Sequence, residues 1–469
     1  MQKLSKMTGV WNKIIIPAVW VVLLLLSAGC GQQSRQSQPN VLFLMADNHT
    51  AWYLGAAGHP IVRTPNLDRL AARGAWFSQA YTSYPVCTPA RMSMLTGKYP
   101  AEIGIGNNSQ STNNIGLTIG DFFKNQGYAT MVSGKMHFRG TDQHHGYDSR
   151  PIYDFDHSGW FTDGVEGTHV PFDWLTADSD IDNMHNRRPD SAKPYSGRLD
   201  KMLSYQITRR GLPALESNEP FLVMFSYLKP HWPWQPPTEF WDIYAGKGDL
   251  PAVGYDMPMD WRDYPLSPRT TDDWDQLTDE ELRTARAAYY ALISYMDDQL
   301  GVVLDKLEAE GKLDNTIIIY TSDHGEMAGE RGVWNKHNYF EASVRIPLII
   351  SWPEKIPAGI EIDETVSLID IFPTLADLAG YQIPEGLTGQ SLVPLMQGNA
   401  ENLRGYAAAG FGSKRMLRQG RLKLILNDKY HSPVLFDLQA DPNELKNLAH
   451  DPTYWEALQD MTDIVTGLW

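Results

Sequence analysis

Four apolar runs, each closing on polar or ionisable residues, constrain this chain more than any other feature. NVLFLM leads into Ala46-Asp47-Asn48, ATMVSG into Lys135-Met136-His137, FLVMFSYL into Lys229-Pro230-His231, and NTIIIYTS into Asp323-His324-Gly325. Strand-like runs alternating with helical patterns are the mark of a mostly parallel sheet covered by helices. Ligand sites of open parallel sheets lie outside the carboxyl ends of the strands, so these four ends are expected to share one rim. Of the helical segments between them, TPNLDRLAARG has Thr64 as N-cap, Pro65 at the first helical position and Gly74 as stop. The longest helix is predicted from Thr278 to Gly311, and residues 232–275 lack periodicity and read as an excursion over one rim. From about Leu392 the pattern changes to the short strands KRMLRQGRLKLILN and PVLFDL and a terminal helix. The expected fold class is therefore α/β: a large, mostly parallel sheet sandwiched by helices over 40–391, with a small domain of antiparallel sheet plus helix over 392–469.

With 40 basic against 56 acidic side chains the formal charge is −16. That balance argues against a nucleic-acid partner bound by phosphate neutralisation, and an anionic substrate needs a local positive site. At the N-terminus Lys3, Lys6 and Lys13 precede IIIPAVWVVLLLL, a run too short to be a stable membrane span, followed by Ser27, Ala28, Gly29 and Cys30. Residues 1–30 read as an export signal whose LLSAGC end resembles a bacterial lipobox, although Ser27 stands where leucine is usual, and residues 31–39 as a polar tether. The chain is thus expected to be exported to the periplasm or cell surface, touching membrane only through lipid on Cys30. Seven of the 15 tryptophans fall between Trp160 and Trp274. Flat aromatic faces suit sugar rings as well as cores.

If Cys30 carries lipid, Cys87 has no disulfide partner. It sits in SYPVCTPARMSMLTGKYP, where Pro89 suits the first helical position, so a helix is expected to open from Cys87 and run to about Thr96 with Gly97 as stop. Cys87 and Arg91, four apart, share a face at the positive helix N-terminus, a place for an anion. The residue is either a low-pKa nucleophile or a small side chain packed under the helix start. The pairs Asp47-Asn48 and Asp323-His324 offer oxygens suited to calcium or magnesium plus an imidazole less typical of either, or else they are turn and cap residues.

CTPAR resembles the C-x-P-x-R signature of the type I sulfatases, members of the alkaline-phosphatase-like superfamily, and the surrounding motifs occur in that family's order over about residues 40–395. NVLFLMADN is similar to its first metal-binding strand, SGKMHF to its Lys-x-His element, KPHWPW to its central histidine, and YTSDHGEMAGERGVWNKHNYFEASVRIPLII to its second metal strand and distal lysine. SGKMHFRGTDQHHGYD and the Asp-His pair look most like the branch of choline sulfatases and phosphonate monoester hydrolases.

The resemblance implies that a maturation enzyme oxidises Cys87 to formylglycine, whose hydrate attacks sulfur in line. The resulting hemiacetal sulfate expels sulfate by deprotonation of its second hydroxyl, an exit a serine ester would lack. It also implies a divalent metal, most often calcium with magnesium possible, at Asp47, Asn48, Cys87, Asp323 and His324. Many sulfatases have aspartate in place of Asn48 and asparagine in place of His324, departures that lower the ligand charge. Arg91 is expected to fix the hydrate, and Lys135 and Lys336 to neutralise sulfate oxygens. His137 and His231 are expected to handle protons, His231 at the leaving oxygen. Asn107 or Asn108, in the loop just after GKYPAEIGIG, either contacts the diol or sulfate or forms a turn. The expected function is an exported sulfatase acting on carbohydrate sulfate. The alternatives are a choline or aryl sulfatase, a phosphate or phosphonate monoester hydrolase, and a lipoprotein that binds sulfated glycans without catalysis.

Overall fold

In the computed structural model the first apolar run forms strand β1 (Asn40–Asp47). Val41, Phe43 and Met45 enter one hydrophobic cluster, and Leu42, Leu44 and Ala46 another. Side chains alternate across a strand, so a strand covered on both faces has no solvent-facing position left to be polar. That is why the run is apolar at every step. The structure describes residues 38–154, 188–254, 277–399, 403–427 and 433–468; the leader with Cys30 and the tryptophans at 160, 174, 261 and 274 lie outside the described residues.

The large sheet continues with β2 (Ala75–Tyr81), β3 (Ala129–Gly134), β4 (Phe221–Pro230), β5 (Thr316–Ser322), β6 (Arg345–Ser351), β7 (Ile360–Ile362) and β8 (Val366–Ser367). Its order is β3-β4-β1-β5-β6-β2-β7, with β8 also beside β2. Every pairing is parallel except those of β6, which runs antiparallel to β5 and β2. The expected mostly parallel sheet is present. Register aligns the four runs: Gly134 stands opposite Ser226, Ser226 opposite Met45, and Met45 opposite Thr321. Their carboxyl ends therefore reach one edge together. Gly134 has φ +109, and a Cβ there would lie 2.1 Å from the Ser226 carbonyl oxygen, so only glycine ends β3 this way.

The helices are α1 (Pro65–Ala72), α2 (Cys87–Thr96), α3 (Ile119–Asn125), α4 (Leu203–Gly211), α5 (Thr238–Tyr244), α6 (Asp279–Ala309), α7 (Glu341–Val344), α8 (Ile371–Leu378), α9 (Val393–Met396) and α10 (Trp455–Gly467). Residues of α2, α3 and α8 share the cluster of Val41, and those of α1, α4 and α6 share that of Leu42. Helix α6 follows its expected bounds, opened by a capping box of Thr278 and Glu281, with Gly311 beyond it at φ +67. Thr64 is the N-cap residue of α1, as expected, but its side chain makes no capping hydrogen bond. Its hydroxyl accepts from Gly55 N and meets Asp68, while the Asp297 carboxylate accepts the Asn66 and Leu67 amides at the start of α1. The unpatterned segment 232–275 contains α5, and its residues 255–275 lie outside the described residues. No helix among the described residues is long and apolar enough to cross a membrane.

The C-terminal lobe is a four-stranded antiparallel sheet, β12-β11-β10-β9, of β9 (Tyr406–Phe411), β10 (Lys414–Gln419), β11 (Leu422–Asn427) and β12 (Val434–Asp437). Leu417, Leu424 and Leu435 pack with Met461 and Val465 of α10, whereas Met416, Ile425 and Phe436 pack with Met327, Phe340 and Val344 of the larger part. Helix α9 still belongs to the large core through Leu395 and Met396, and the antiparallel strands begin only at Tyr406.

Candidate active site

Past Met45 the pairing of β1 with β4 shifts, so that Asp47 faces Pro230, and Asn48 follows at φ +68. This irregular exit turns Asp47 toward α2. Ligand atoms of Asp47, Cys87, Asp323 and His324 all lie within 4.8 Å of one another, and all four residues are buried. Cys87 Sγ is 3.2 Å from His324 Nε2 and 3.8 Å from Lys135 Nζ. Helix α2 opens at Cys87 itself, two residues before Pro89, with Gly97 closing it at φ +64. Proline remains harmless there because first-turn amides have no intrahelical acceptor.

Arg91 lies fully buried beneath the cluster. Its Nη2 donates to Asp47 Oδ2 at 2.9 Å and its Nε to Asp323 Oδ2 at 2.9 Å, tying the ends of β1 and β5 together. Its Nη1 donates to Ser226 Oγ at 2.8 Å and to the Lys135 carbonyl, adding β4 and the exit of β3. One guanidinium thus joins all four strand ends, and its hydrogen bonds go to carboxylates, a hydroxyl and a carbonyl rather than to Cys87. Lys135 Nζ makes a close ion pair with Asp47 Oδ2. Asp47 Oδ1, buried, has no hydrogen-bond partner. A carboxylate oxygen kept dry and unpartnered beside a second carboxylate and an imidazole is the donor set a divalent cation satisfies, so these residues fit the metal implied by the sequence.

The remaining candidates surround this cluster. Lys336 Nζ donates to Asn48 Oδ1 at 3.0 Å. His137 has φ +58, and its loop is held by Asp154, whose carboxylate accepts the amides of Met136, His137 and Phe138 at 2.5, 2.7 and 2.9 Å. His231 Nδ1 is 2.9 Å from the Trp232 carbonyl; because a carbonyl only accepts, Nδ1 carries the proton and Nε2 is left as an acceptor. Its ring lies against Trp232 with centroids 4.3 Å apart. Asn108 Oδ1 accepts the Thr88 amide at 2.9 Å, which places its loop at the first turn of α2 and beside Cys87.

Charge in this site is shaped by burial and then by the crowd of cations. Burial opposes ionisation of Asp47, but Lys135, His231, Arg91 and Lys336 outweigh it and hold the carboxyl well below its ordinary range. Burial and Asp47 push the Cys87 thiol up, yet Lys135, Lys336 and His324 leave it below its ordinary value. Burial, reinforced by Lys135 and Lys336, holds both His137 and His231 well below theirs, so each stands neutral at neutral pH. His324 is the exception: burial lowers it, but Asp323 and Cys87 more than restore it.

Three residues at the site escaped sequence reasoning. Ser226, Asp154 and Glu326 act by holding backbone or side-chain groups, and Glu326 receives the Asn48 amide. Glu326 lies just beyond β5 and Ser226 inside β4, positions many inert residues share, and Asp154, well past the end of β3, carried no signal.

A family model described as Sulfatase matches residues 39–381, and one described as N-sulphoglucosamine sulphohydrolase, C-terminal, matches residues 329–468. The choline-sulfatase of Rhizobium meliloti (strain 1021) is 36% identical over 434 residues, covering 88% of this chain and 83% of that protein. The N-acetylglucosamine-6-O-sulfatase of Bacteroides thetaiotaomicron is 26% identical over 519 residues, covering 94% and 88%. The crystal structure of the phosphonate monoester hydrolase of Agrobacterium radiobacter superposes with a TM-score of 0.76 at 25% identity, covering 92% of this chain and 95% of that one.

Proposed function

The chain belongs to the type I, formylglycine-dependent sulfatase family of the alkaline-phosphatase-like superfamily, and from that premise we propose that it hydrolyses sulfate monoesters of carbohydrates outside the cytoplasm. One observation carries the hydrolytic part: Cys87, at the N-terminus of α2, shares a 4.8 Å cluster with Asp47, Asp323 and His324. In the matured protein a hydroxyl of the formylglycine hydrate takes the place now held by Sγ. Asp47, Asn48, Asp323 and His324 are the residues to hold a divalent ion with it, calcium first and magnesium second. Such an ion, when bound, polarises sulfate oxygens and favours the deprotonated nucleophile.

The protein's own side chains supply the rest. Lys135 and Lys336 present ammonium groups toward the two sides of the cluster, Lys135 at Asp47 and Lys336 at Asn48. They are suited to balance the negative charge that grows on sulfate oxygens in the transition state. Arg91, through Asp47 and Asp323, keeps the donor atoms in place. His137 and His231 are neutral in the free protein because burial and the lysines disfavour their charged forms. An entering anionic sulfate group offsets that positive field and raises their proton affinity. His231 Nε2, free to take a proton, is then suited to deliver it to the leaving oxygen. His137 is suited to assist the second hydroxyl.

Carbohydrate as the leaving group is supported by the export leader, the tryptophan-rich segment, and the likeness to the N-sulphoglucosamine sulphohydrolase C-terminal model and to an N-acetylglucosamine-6-O-sulfatase. Choline sulfate is the second reading, favoured by the 36% identity to a choline-sulfatase. Matured enzyme offered a panel of sulfated mono- and oligosaccharides beside choline sulfate and an aryl sulfate decides between them. Highest kcat/KM on a saccharide is expected, and a preference for choline sulfate replaces the carbohydrate reading with the second.

A further inference from the structure

Glu326 is fully buried, lies two residues beyond His324, and stands outside the cluster of Asp47, Cys87, Asp323 and His324. Its Oε2 accepts from Asn48 Nδ2 at 2.6 Å. Its Oε1 accepts the backbone amides of Ala328, at 3.3 Å, and of Asn335, in close contact. Asn335 immediately precedes Lys336, whose Nζ donates to Asn48 Oδ1. Beyond this, the Thr50 hydroxyl accepts the Glu326 amide at 2.7 Å. Glu326 is therefore joined to the β1 exit at residues 48 and 50 and to the loop that carries Lys336.

Both Glu326 oxygens face donors, and an ionised carboxylate is a pure acceptor, so the arrangement is fully satisfied only with that chemistry. The same fact fixes the Asn48 amide. A side-chain amide can be turned end for end with little change in shape, but Nδ2 alone can face a carboxylate at 2.6 Å, which leaves Oδ1 directed to the Lys336 side. We infer that Glu326 is a positioning residue that presents the Asn48 carbonyl oxygen to the metal, and that Asn48 and Glu326 form a matched pair in which the negative charge sits behind the amide rather than on it. The inference rests on the reading of Asn48 as a metal ligand.

The pairing has a consequence that a general structural role does not. Glutamine at position 326 must turn its NH2 either to the two backbone amides or to Asn48 Nδ2, donor against donor in both cases. Aspartate at position 48 sets two carboxylates at hydrogen-bond distance. The two changes together restore complementarity, since the NH2 of the new glutamine would then meet the new carboxylate while its oxygen keeps the backbone amides.

The test is the calcium affinity of full-length matured protein by titration calorimetry, with the melting temperature of the metal-free form as a second readout. Glu326→Gln is expected to weaken binding about 10- to 100-fold, the usual effect of removing a group that orients a metal ligand. Asn48→Asp alone is expected to weaken binding although it adds a negative charge, and Asn48→Asp with Glu326→Gln to bind more tightly than either single variant. Unchanged affinity in Glu326→Gln, or tighter binding in Asn48→Asp alone, overturns the matched pair. Asn48→Ala separates the premise: if it leaves affinity unchanged, Asn48 is not a ligand and the inference falls with that reading. If it weakens binding while Glu326→Gln does not, only the positioning role fails. Should Glu326→Gln not fold by itself, a folded and calcium-binding double variant supports the coupling. A double variant no better than Asn48→Asp contradicts it.

Discussion

Two clusters of buried charge in this molecule are built from the same materials and do different things. In the active site Asp47, Arg91, Lys135, Asp323 and His324 are packed with Cys87, and Asp47 Oδ1 is left without a partner. Where the C-terminal lobe meets the larger part, Lys423 lies between Glu341 and Glu444 and the set closes on itself. Lys423 Nζ donates to Glu341 Oε1 at 3.0 Å and forms a close ion pair with Glu444 Oε1, short of hydrogen-bond geometry. Tyr81 donates to Glu341 Oε2, Arg418 donates to Tyr81, and the Glu341 amide donates to Glu444 Oε2, at 3.0, 3.0 and 2.9 Å. Burial opposes ionisation of Glu341, but Lys423, Arg345 and Arg418 outweigh it. Burial and the neighbouring Glu341 push Glu444 the other way. Burying charge is therefore not what marks a functional site. What marks it is charge arranged so that acceptors and cations face a common point with one place still open.

The two clusters should respond most differently to a change at Cys87. Replacing it with alanine removes the nucleophile and leaves the surrounding charges paired, so hydrolysis is expected to fall by roughly four to six orders of magnitude in kcat, with melting temperature retained. In the lobe contact the pattern reverses. Lys423→Met leaves two buried carboxylates without their cation and is expected to destabilise by about 3–5 kcal/mol in denaturant titrations, while activity per folded molecule stays as it was. Adding Glu341→Gln and Glu444→Gln should recover most of that loss, because a closed cluster can be replaced as a unit. Lys336→Ala is intermediate: kcat/KM is expected to drop about 10²- to 10³-fold, as when one transition-state donor is lost, with little change in stability.

A buried carboxylate outside both clusters, Asp297, carries a weaker effect. It accepts from Asn66 and Leu67 at the start of α1 but has no cation partner among its described contacts, and burial raises its pKa to about 7. Because the folded value lies above the unfolded one, the native state holds this proton more tightly, and the contribution to stability is lost as pH rises from about 4 to about 7. The part of that loss falling above pH 6 is on the order of 1 kcal/mol. Asp297→Asn should remove this part of the pH dependence in unfolding titrations, gaining relative stability as pH rises. A slope unchanged by the substitution would mean that neutral donors, the Asn66 and Leu67 amides and the Asn66 side chain, can by themselves hold a buried carboxylate ionised.

The parts of this design readable from sequence are those where one residue type has one physical reason. The four apolar runs announced strands because both sheet faces are covered, and ionisable residues interrupting them announced the rim. The strand β9 was unreadable: YAAAGF has little β propensity, and its alanines are strand residues only because Ala407 and Ala409 pack against the larger part and Ala408 against α10. Nor could the pattern disclose strand order, and with it the meeting of all four ends on Arg91. The N-cap position of Thr64 was readable, but the pattern could not tell that its hydroxyl would turn elsewhere and leave the first amides of α1 to a distant carboxylate. Glu326 and Asp154 were silent because they recognise backbone amides, which every residue provides.

The account depends most on Cys87 being matured rather than left as a thiol. The direct measurement is the mass of the proteolytic peptide containing residue 87, from protein made in its own host or with a sulfatase-maturing enzyme. The aldehyde or its hydrate is expected in place of the thiol. A thiol that persists at Cys87, in cells where a control sulfatase is matured, would contradict it.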